Sequence, residues 1–560
     1  MKLLQDLIND LEGYGLKSSL IQPGLPQIKS DLAMPCFQLA KEQSESPQVI
    51  AHNIAKKIKH PEILKAEAIN GYVNLWISSE YLARLLWRIS SNSLNLGEKE
   101  IGTKTILIEY FSPNIAKPPS VGHLRNLFQG RALTNLYKIR GWRVITDNHI
   151  GDWGTIFGLW VVGFLKYGNK KALKQNGLNE LGKIYVAINK DLKKEEQENK
   201  TDLQNQIQAW FLKLEQNDQE AWQYHKLFTK ISYRELEPLL DELNVKFDEN
   251  LAESFYYQFI PNLLEDLKKR RLIEEQADGS LVADLKSQGI KIPLLIQKSN
   301  GGTLYSTRDI ATLHYRQKTW DLSKIIYVVG IEQKFYLKQL FVFNKMANIC
   351  QSELIHHSYG LVEEVRDGKR QKMSSRKQAI HLQDVLQIAC EKAEQLNQKS
   401  ELSASDIKKI AYGALAFQEF SQSSQRNFLF DWDRIFNPSE ISGPYVQYAT
   451  LRLKAILDKT QLNNFQPYIT EYDWQPEHAL LLKLLHFEDI LEDACQTLEI
   501  NKITTHILEI TQELNRYYEE NRILDEVIMV QSSRLWFINI LYRHLVFALN
   551  ILGIQLPAKM

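Results

Sequence analysis

Lys117, Gly122 and His123 stand close together within Ser112–Asn126, SPNIAKPPSVGHLRN. Lysine and histidine side chains can donate to a phosphate whose negative charge grows in a transition state. A glycine has no Cβ, so a flat base or a phosphate can approach its backbone closely. The set therefore suits chemistry at a phosphate. The flanking residues predict how it is positioned. Thr105–Phe111 is apolar and β-branched, which predicts a buried strand. Ser112–Ser120 carries three prolines, an asparagine and a lysine, a rigid loop. Ser120 can cap a helix whose first turn holds Gly122 and His123. Leu124, Phe128, Ala132, Leu136 and Ile139 follow at helical spacing, Gly141 ends the helix, and Trp142–Thr146 reads as a second strand. In such a βαβ unit the loop lies at the carboxyl end of the first strand, where open α/β sheets bind ligands. The helix N-terminus there offers unpaired N–H groups to a phosphate. Taken alone, Gly-His fits an ordinary surface loop as well.

The totals set the frame. A chain of 560 residues predicts roughly three or four domains. Hydrophobic residues make up 44% and charged ones 24%, enough for large cores. The net charge of +1 gives no general affinity for nucleic acid, so any RNA contact needs local basic patches. Cys36, Cys350, Cys390 and Cys495 are far apart, which argues against a zinc ribbon or a disulfide framework and fits a reducing compartment. The N-terminal stretch MKLLQDLINDLEGYG reads as an amphipathic helix rather than a signal peptide, and no apolar run reaches membrane-spanning length. A cytoplasmic protein without a membrane partner is expected.

SPNIAKPPSVGHLRN resembles the HIGH signature of class I aminoacyl-tRNA synthetases. Its flanks and the downstream NHIGDWGTIFG (148–158) are similar to the arginyl-tRNA synthetase branch. The family pattern H-x-G-H is here Ser120-Val121-Gly122-His123, with serine in place of the first histidine. The resemblance implies that Lys117 and His123 act on the phosphates and that Ser120, Val121 and Gly122 line the nucleotide. Further on, Lys372, Met373, Ser374 and Ser375 match the second signature, KMSKS. A loop with a lysine and small hydroxyls suits a phosphate clamp that closes during reaction. Gly360 is expected to lie against adenine.

The amino-acid site follows from the same resemblance. Ala252–Tyr257 (AESFYY) is similar to the family's GES element and makes Glu253 a side-chain ligand. Tyr305 and Asp309 keep the spacing of the Y-x-T-R-D segment, Gln333 aligns with a pocket glutamine, and Asn114 lies in the HIGH-like loop. These residues are expected to converge at one edge of one sheet and bind arginine. Without the resemblance, Glu253 is a helix-start residue and Asp309 complements a helix dipole. The chain departs from the family at Ser120, Ile156, Tyr336 and Gln378, where the family favours His, Gln, His and Gly.

The expected architecture is α/β. A Rossmann-type parallel-sheet catalytic domain (100–385) has insertions near 165–220 and 255–300. A small α+β domain (1–93) precedes it and an α-helical anticodon-binding domain (386–560) follows. Ala66–Ile77 alternates like a strand, which puts Tyr72 and Asn74 on one face. The resemblance makes that face a contact for the tRNA D-loop, the ring stacking on a base and the amide reading its edge. Tyr448 and Arg452, in and beside GPYVQYA, are further RNA candidates. The resemblance implies an arginine–tRNA ligase acting as a monomer on arginine, ATP and tRNA(Arg), with Mg²⁺ arriving on ATP and no protein-bound metal. The alternatives are a synthetase-like paralogue that binds tRNA or arginine with little or no ligase activity, and a nucleotidyltransferase of the same fold that ignores tRNA.

Overall fold

The computed structural model describes residues 2–25, 27–91, 95–366, 369–372, 381–396, 402–437, 441–462, 464–524 and 526–560, with the side chains of 364–366 and 369–372 left undescribed. Near the N-terminus, β1 (Gln22–Pro23), β2 (Leu32–Pro35), β3 (Ile63–Ile69) and β4 (Tyr72–Ile77) form an antiparallel sheet in the order β1-β2-β4-β3. The single strand expected over Ala66–Ile77 is therefore a hairpin. Its turn is Asn70-Gly71, with φ of 53° and 80°, the left-handed pair that two-residue hairpin turns of this kind require.

The central sheet contains β5 (Thr105–Glu109), β6 (Arg143–Asp147), β10 (Lys324–Gly330) and β11 (Glu353–Tyr359), all parallel, in the order β11-β10-β5-β6. Three shorter strands, β7 (Glu274–Glu275), β8 (Leu281–Ala283) and β9 (Leu294–Gln297), make a separate antiparallel sheet in the second insertion. Ile106–Ile108 and Ile325–Ile326 are fully buried, which explains why these central strands are near-continuous apolar runs. From β5 the chain passes through the Val121–Ile139 helix to β6 on one side, whereas β10 pairs with the other side of β5. The crevice at the carboxyl ends of β5 and β10 is therefore a topological switch point. The register places Tyr327, Glu109 and Asp147 in one row across β10, β5 and β6 at that end.

The first insertion is helical, with helices Lys170–Gln197 and Asp202–Glu215. The first is broken at Gly177, at φ 50°, where the Glu235 carboxylate takes the Leu178 N–H at 2.8 Å and a Cβ would collide with it.

Beyond the sheet, β12 (Val362–Arg366) and β13 (Lys369–Lys372) form a hairpin, and β14 (Phe428–Leu429) adds to β12 in parallel. The helix Ala404–Glu419 and helices such as Gly443–Lys459, Asn501–Glu520 and Ile528–Ile551 build the C-terminal bundle. One buried node ties the bundle to the crevice. Arg125 Nε donates to the Glu419 carboxylate at 2.8 Å, Nη1 to the Gly360 carbonyl at 2.7 Å, and Nη2 to the Ser424 carbonyl at 3.1 Å. The N-terminal domain docks on the same bundle. His478 holds Asp31 through Nε2 at 2.9 Å and Ser79 through Nδ1 at 2.8 Å. Among the described residues, no helix is long and apolar enough to cross a membrane.

Candidate active site

The loop after β5 is strained. Phe111, Ser112 and Ala116 have φ of 71°, 41° and 60°, a region that costs a non-glycine residue on the order of 1 kcal/mol or more. Side chains from elsewhere hold it. Asn126 accepts the Phe111 N–H, Asn148 accepts that of Ser112 at 3.2 Å, and Ser232 Oγ accepts that of Ala116 at 2.8 Å. Asn114 and Ile115 pair with Gly151, where a Cβ would stand 2.3 Å from the Asn114 amide oxygen. Sequence reasoning did not single out Asn126, Asn148 or Ser232. The available signal was a short polar side chain at buried helix positions, Asn126 and Ser232.

The helix starts as expected, with Ser120 as its N-cap residue. His123 Nδ1 accepts the Ser120 N–H at 3.0 Å and lies 3.1 Å from Ser120 Oγ. With Nδ1 an acceptor, the ring proton sits on Nε2. Burial, helped by the Lys117 cation, pushes the His123 pKa down to about 4, so the ring is neutral near pH 7. The backbone N–H of residue 120, and not the identity of its side chain, thus fixes the tautomer of His123. Burial also lowers the pKa of Lys117, whose ammonium lies 5.5 Å from the Tyr185 ring, and no carboxylate pairs with it among the described residues. A Cβ on Gly122 would meet nothing nearer than Ser120 Oγ at 3.7 Å, so that side of the backbone is open.

Two nucleotide candidates are engaged inside the protein. Val121 is buried and packs in the core. Gly360 faces its own chain: a Cβ there would lie 2.6 Å from the Arg426 carbonyl, its N–H bonds Ser424, and its carbonyl takes Arg125. Lys372 ends β13, but its side chain, and Met373, Ser374, Ser375 and Gln378 entirely, lie outside the described residues.

The amino-acid candidates gather around the Tyr305–Thr319 helix. That helix starts at Tyr305, and Thr307 Oγ1 accepts the Leu304 N–H at 3.0 Å from inside the first turn. Glu253 opens a short helix, Glu253–Tyr256. Asp152 of the NHIGDWG segment positions that helix by accepting the Ser254 N–H at 2.8 Å and its hydroxyl at 2.6 Å. Glu253 Oε2 lies 2.7 Å from Arg308 Nε, both side chains being buried. Burial raises the Glu253 pKa, and the adjacent guanidinium pulls it back. Asp309 accepts from the Tyr336 hydroxyl, and burial pushes its pKa up to about 6. Tyr305 is 53% exposed, and the Arg308 guanidinium lies 4.8 Å from its ring. The structure thus brings Glu253, Tyr305 and Asp309 together around Arg308. Asn114 is exposed across from Gly151, and Gln333 is exposed at the N-cap of the Lys334–Ala347 helix. No polar contact joins Gln333 to the other four among the described residues.

Beneath them, Arg316 Nη2 bonds Glu109 at 2.5 Å and Asp147 at 2.6 Å, and Nη1 reaches the Tyr327 hydroxyl at 3.3 Å. Glu109, Asp147 and His149 bring potential ligand atoms within 4.8 Å of one another. The guanidinium already supplies the cation these carboxylates need.

The RNA candidates divide. By alternation Tyr72 and Asn74 share a face, but Asn74 is fully buried and accepts from Ser30 Oγ at 3.1 Å, so it is not displayed to a partner. Tyr72 is half-buried, edge-on to Phe37 at 5.4 Å. Tyr448 is 51% exposed, and Arg452 lies over the Tyr518 ring at 4.5 Å.

Comparison with known proteins gives one answer along the whole chain. Residues 86–432 match the family described as tRNA synthetases class I (R), catalytic domain. Residues 2–77 match the arginyl tRNA synthetase N terminal domain, and 446–560 the DALR anticodon binding domain. The chain is 34% identical over 569 residues to an arginine–tRNA ligase of Halothermothrix orenii, covering 100% of this chain and 98% of the relative. It is 34% identical over 546 residues to arginine–tRNA ligase 1 of Bacillus cereus, covering 95% and 93%. Its fold is similar to that of arginyl-tRNA synthetases from Plasmodium falciparum and Thermus thermophilus, each with a TM-score of 0.78 at 21% identity. The first match covers 100% of this chain and 98% of the other, and the second 96% of each.

Proposed function

Because this chain belongs to the arginyl-tRNA synthetases of class I and is an arginine–tRNA ligase, we propose how its own residues divide that reaction. Arginine and ATP bind at the switch-point crevice. The arginine carboxylate attacks the α-phosphate, pyrophosphate leaves, and a 3′-terminal ribose hydroxyl of tRNA(Arg) then attacks the acyl carbonyl, releasing AMP. No covalent enzyme intermediate is required. Mg²⁺ comes with ATP as part of the substrate.

His123 donates from Nε2 to the reacting phosphate as a neutral ring, and Lys117 and Lys372 supply cations on the pyrophosphate side. The open backbone at Gly122, beside the cap residue Ser120, receives the nucleotide. Glu253 and Asp309, with Tyr305 beside them, accept the guanidinium, and the side-chain carbonyls of Asn114 and Gln333 serve as further acceptors. Residues 1–93 and 386–560 dock the tRNA, Tyr72, Tyr448 and Arg452 being the residues on those domains that remain candidates for contact.

The observation that carries this reading is the gathering of carboxyl groups at the amino-acid end. Among the described residues, four carboxyl groups, Glu109, Asp147, Glu253 and Asp309, stand with two buried guanidinium groups, Arg308 and Arg316. A planar, always-charged fork suits such a pocket, whereas citrulline turns a donor toward a carboxylate into an acceptor and lysine lacks the fork. The test is charging of purified tRNA with labelled arginine by the wild type and by Asp309→Asn. The substitution should raise the arginine KM at least tenfold, the loss of a charge-assisted bond of about 1.5–3 kcal/mol, and leave the KM values for ATP and tRNA within about twofold. An unchanged arginine KM, or competition by citrulline equal to that by arginine, would place the guanidinium elsewhere.

A further inference from the structure

Position 336 departs from the family, and the residue found there makes a contact that the other pocket groups do not. The Tyr336 hydroxyl, on the Lys334–Ala347 helix, donates to Oδ2 of Asp309, on the Tyr305–Thr319 helix. An aspartate carboxylate turns about a broad, nearly two-fold torsion. One fixed donor on one oxygen sets its plane and leaves Oδ1 as the oxygen open to a substrate. A guanidinium reads a carboxylate through that plane, because its donors lie in a rigid fork.

We propose that Tyr336 is a positioning residue that determines arginine recognition, by holding the Asp309 carboxylate in one orientation with Oδ1 turned to the substrate. This rests on the reading of Asp309 as a guanidinium acceptor. It assigns position 336, where the family favours histidine, to the amino acid.

The surroundings make the bond measurable. Asp309 is faced by Glu109 from β5, Glu253 from its short helix, Tyr327 from β10, Tyr336, and Arg308 and Arg316 on its own helix. Burial raises its pKa to about 6, and the Tyr336 bond opposes that rise. Removing the hydroxyl therefore moves the titration upward. Because cationic arginine binds the ionised carboxylate, its KM is high below the titration and falls as pH rises through it.

The experiment measures the arginine KM for charging from about pH 5.5 to about pH 9, with saturating ATP and tRNA, for the wild type and the near-isosteric Tyr336→Phe. In the wild type the KM should fall through about pH 6, where Asp309 ionises, and again near pH 8, where Glu253 does. In Tyr336→Phe it should be roughly tenfold higher near neutrality, with the lower of the two falls moved to higher pH, kcat and the tRNA KM unchanged, and the thermal midpoint lowered by no more than a few degrees. A purely structural role for the tyrosine would not move the pH profile. An unaltered KM, or a KM raised in parallel at every pH, overturns the proposal. Asp309→Asn separates the two readings. If it is silent, the pocket assignment fails and this proposal fails with it. If it is strong while Tyr336→Phe leaves the profile in place, this proposal alone fails.

Discussion

The two ends of the crevice solve opposite electrostatic problems. Among the described residues, the groups at the phosphate end have no internal partner of opposite charge: a neutral His123, a Lys117 without a carboxylate, and open backbone over Gly122. At the amino-acid end the groups are already engaged with one another. Glu253 faces Arg308, Glu109 and Asp147 share Arg316, and Asp309 takes Tyr336. An anionic substrate can be met by leaving donors free. A cationic one needs carboxylates, and several carboxylates buried together need internal cations if all are to stay ionised. The amino-acid end is therefore coupled to stability, and the phosphate end chiefly to rate.

The sharpest test of that contrast removes Arg316. It is fully buried and serves as the counter-ion for two carboxylates on adjacent strands. Arg316→Leu leaves Glu109 and Asp147 side by side without a cation, a change that costs about 3–5 kcal/mol when a buried pair is broken. The thermal midpoint of the free protein should drop by several degrees before any substrate is added. A stable Arg316→Leu protein that had merely lost arginine affinity would mean that the cluster is a binding device and not a structural one.

The converse test is His123→Ala. Here the fold should be nearly indifferent, while turnover of adenylate formation falls about 10²–10³-fold, the range for removing one donor to a developing charge. The KM for ATP should move far less, because the donor's value lies in the transition state. With a pKa near 4, the ring stays neutral across the working range. In the wild type it should therefore add no inflection to the pH dependence of kcat between about pH 5 and 8. An inflection that disappears in His123→Ala would show that a charged imidazole acts, and the contrast between the two ends would weaken.

The same division explains what could be read from the sequence. The phosphate end is one contiguous stretch, and local rules placed β5, the Ser120 cap, the helix and β6 nearly as they stand. At the amino-acid end, motif resemblance named Glu253, Tyr305 and Asp309, but nothing local named their partners. Arg316 lies 207 residues from Glu109 and 169 from Asp147, and these contacts exist only once β5, β6 and the Tyr305–Thr319 helix are assembled. The Asn70-Gly71 turn was a different kind of miss. Its signal was present, but the alternation that runs on through it reads as one strand. Asn74 was placed on the correct face by alternation; what covers that face, Ser30 and the neighbouring strands, is again non-local.

The smallest expected effect sharpens the comparison most, because it probes strain rather than charge. Ala116, at φ 60°, immediately precedes Lys117, and its N–H is held by Ser232 Oγ at 2.8 Å. Ser232 is fully buried in the Gln219–Glu242 helix and passes its own proton to the Phe228 carbonyl at 2.8 Å. Ser232→Ala leaves a buried N–H without an acceptor, at a cost of about 1–3 kcal/mol. The loop can avoid much of that cost by letting Ala116 leave the left-handed region and turning its N–H toward water. That relaxation carries Lys117 with it. Global stability should therefore fall by less than the full penalty, while adenylate formation slows by roughly threefold to tenfold through misplacement of the lysine. Glycine at 116 in the same background enters the left-handed region without the Cβ penalty and should recover part of the rate. If Ser232→Ala instead loses the whole penalty in stability and keeps its turnover, the loop is rigid packing like the Arg316 cluster, and the two ends of the crevice differ in charge alone.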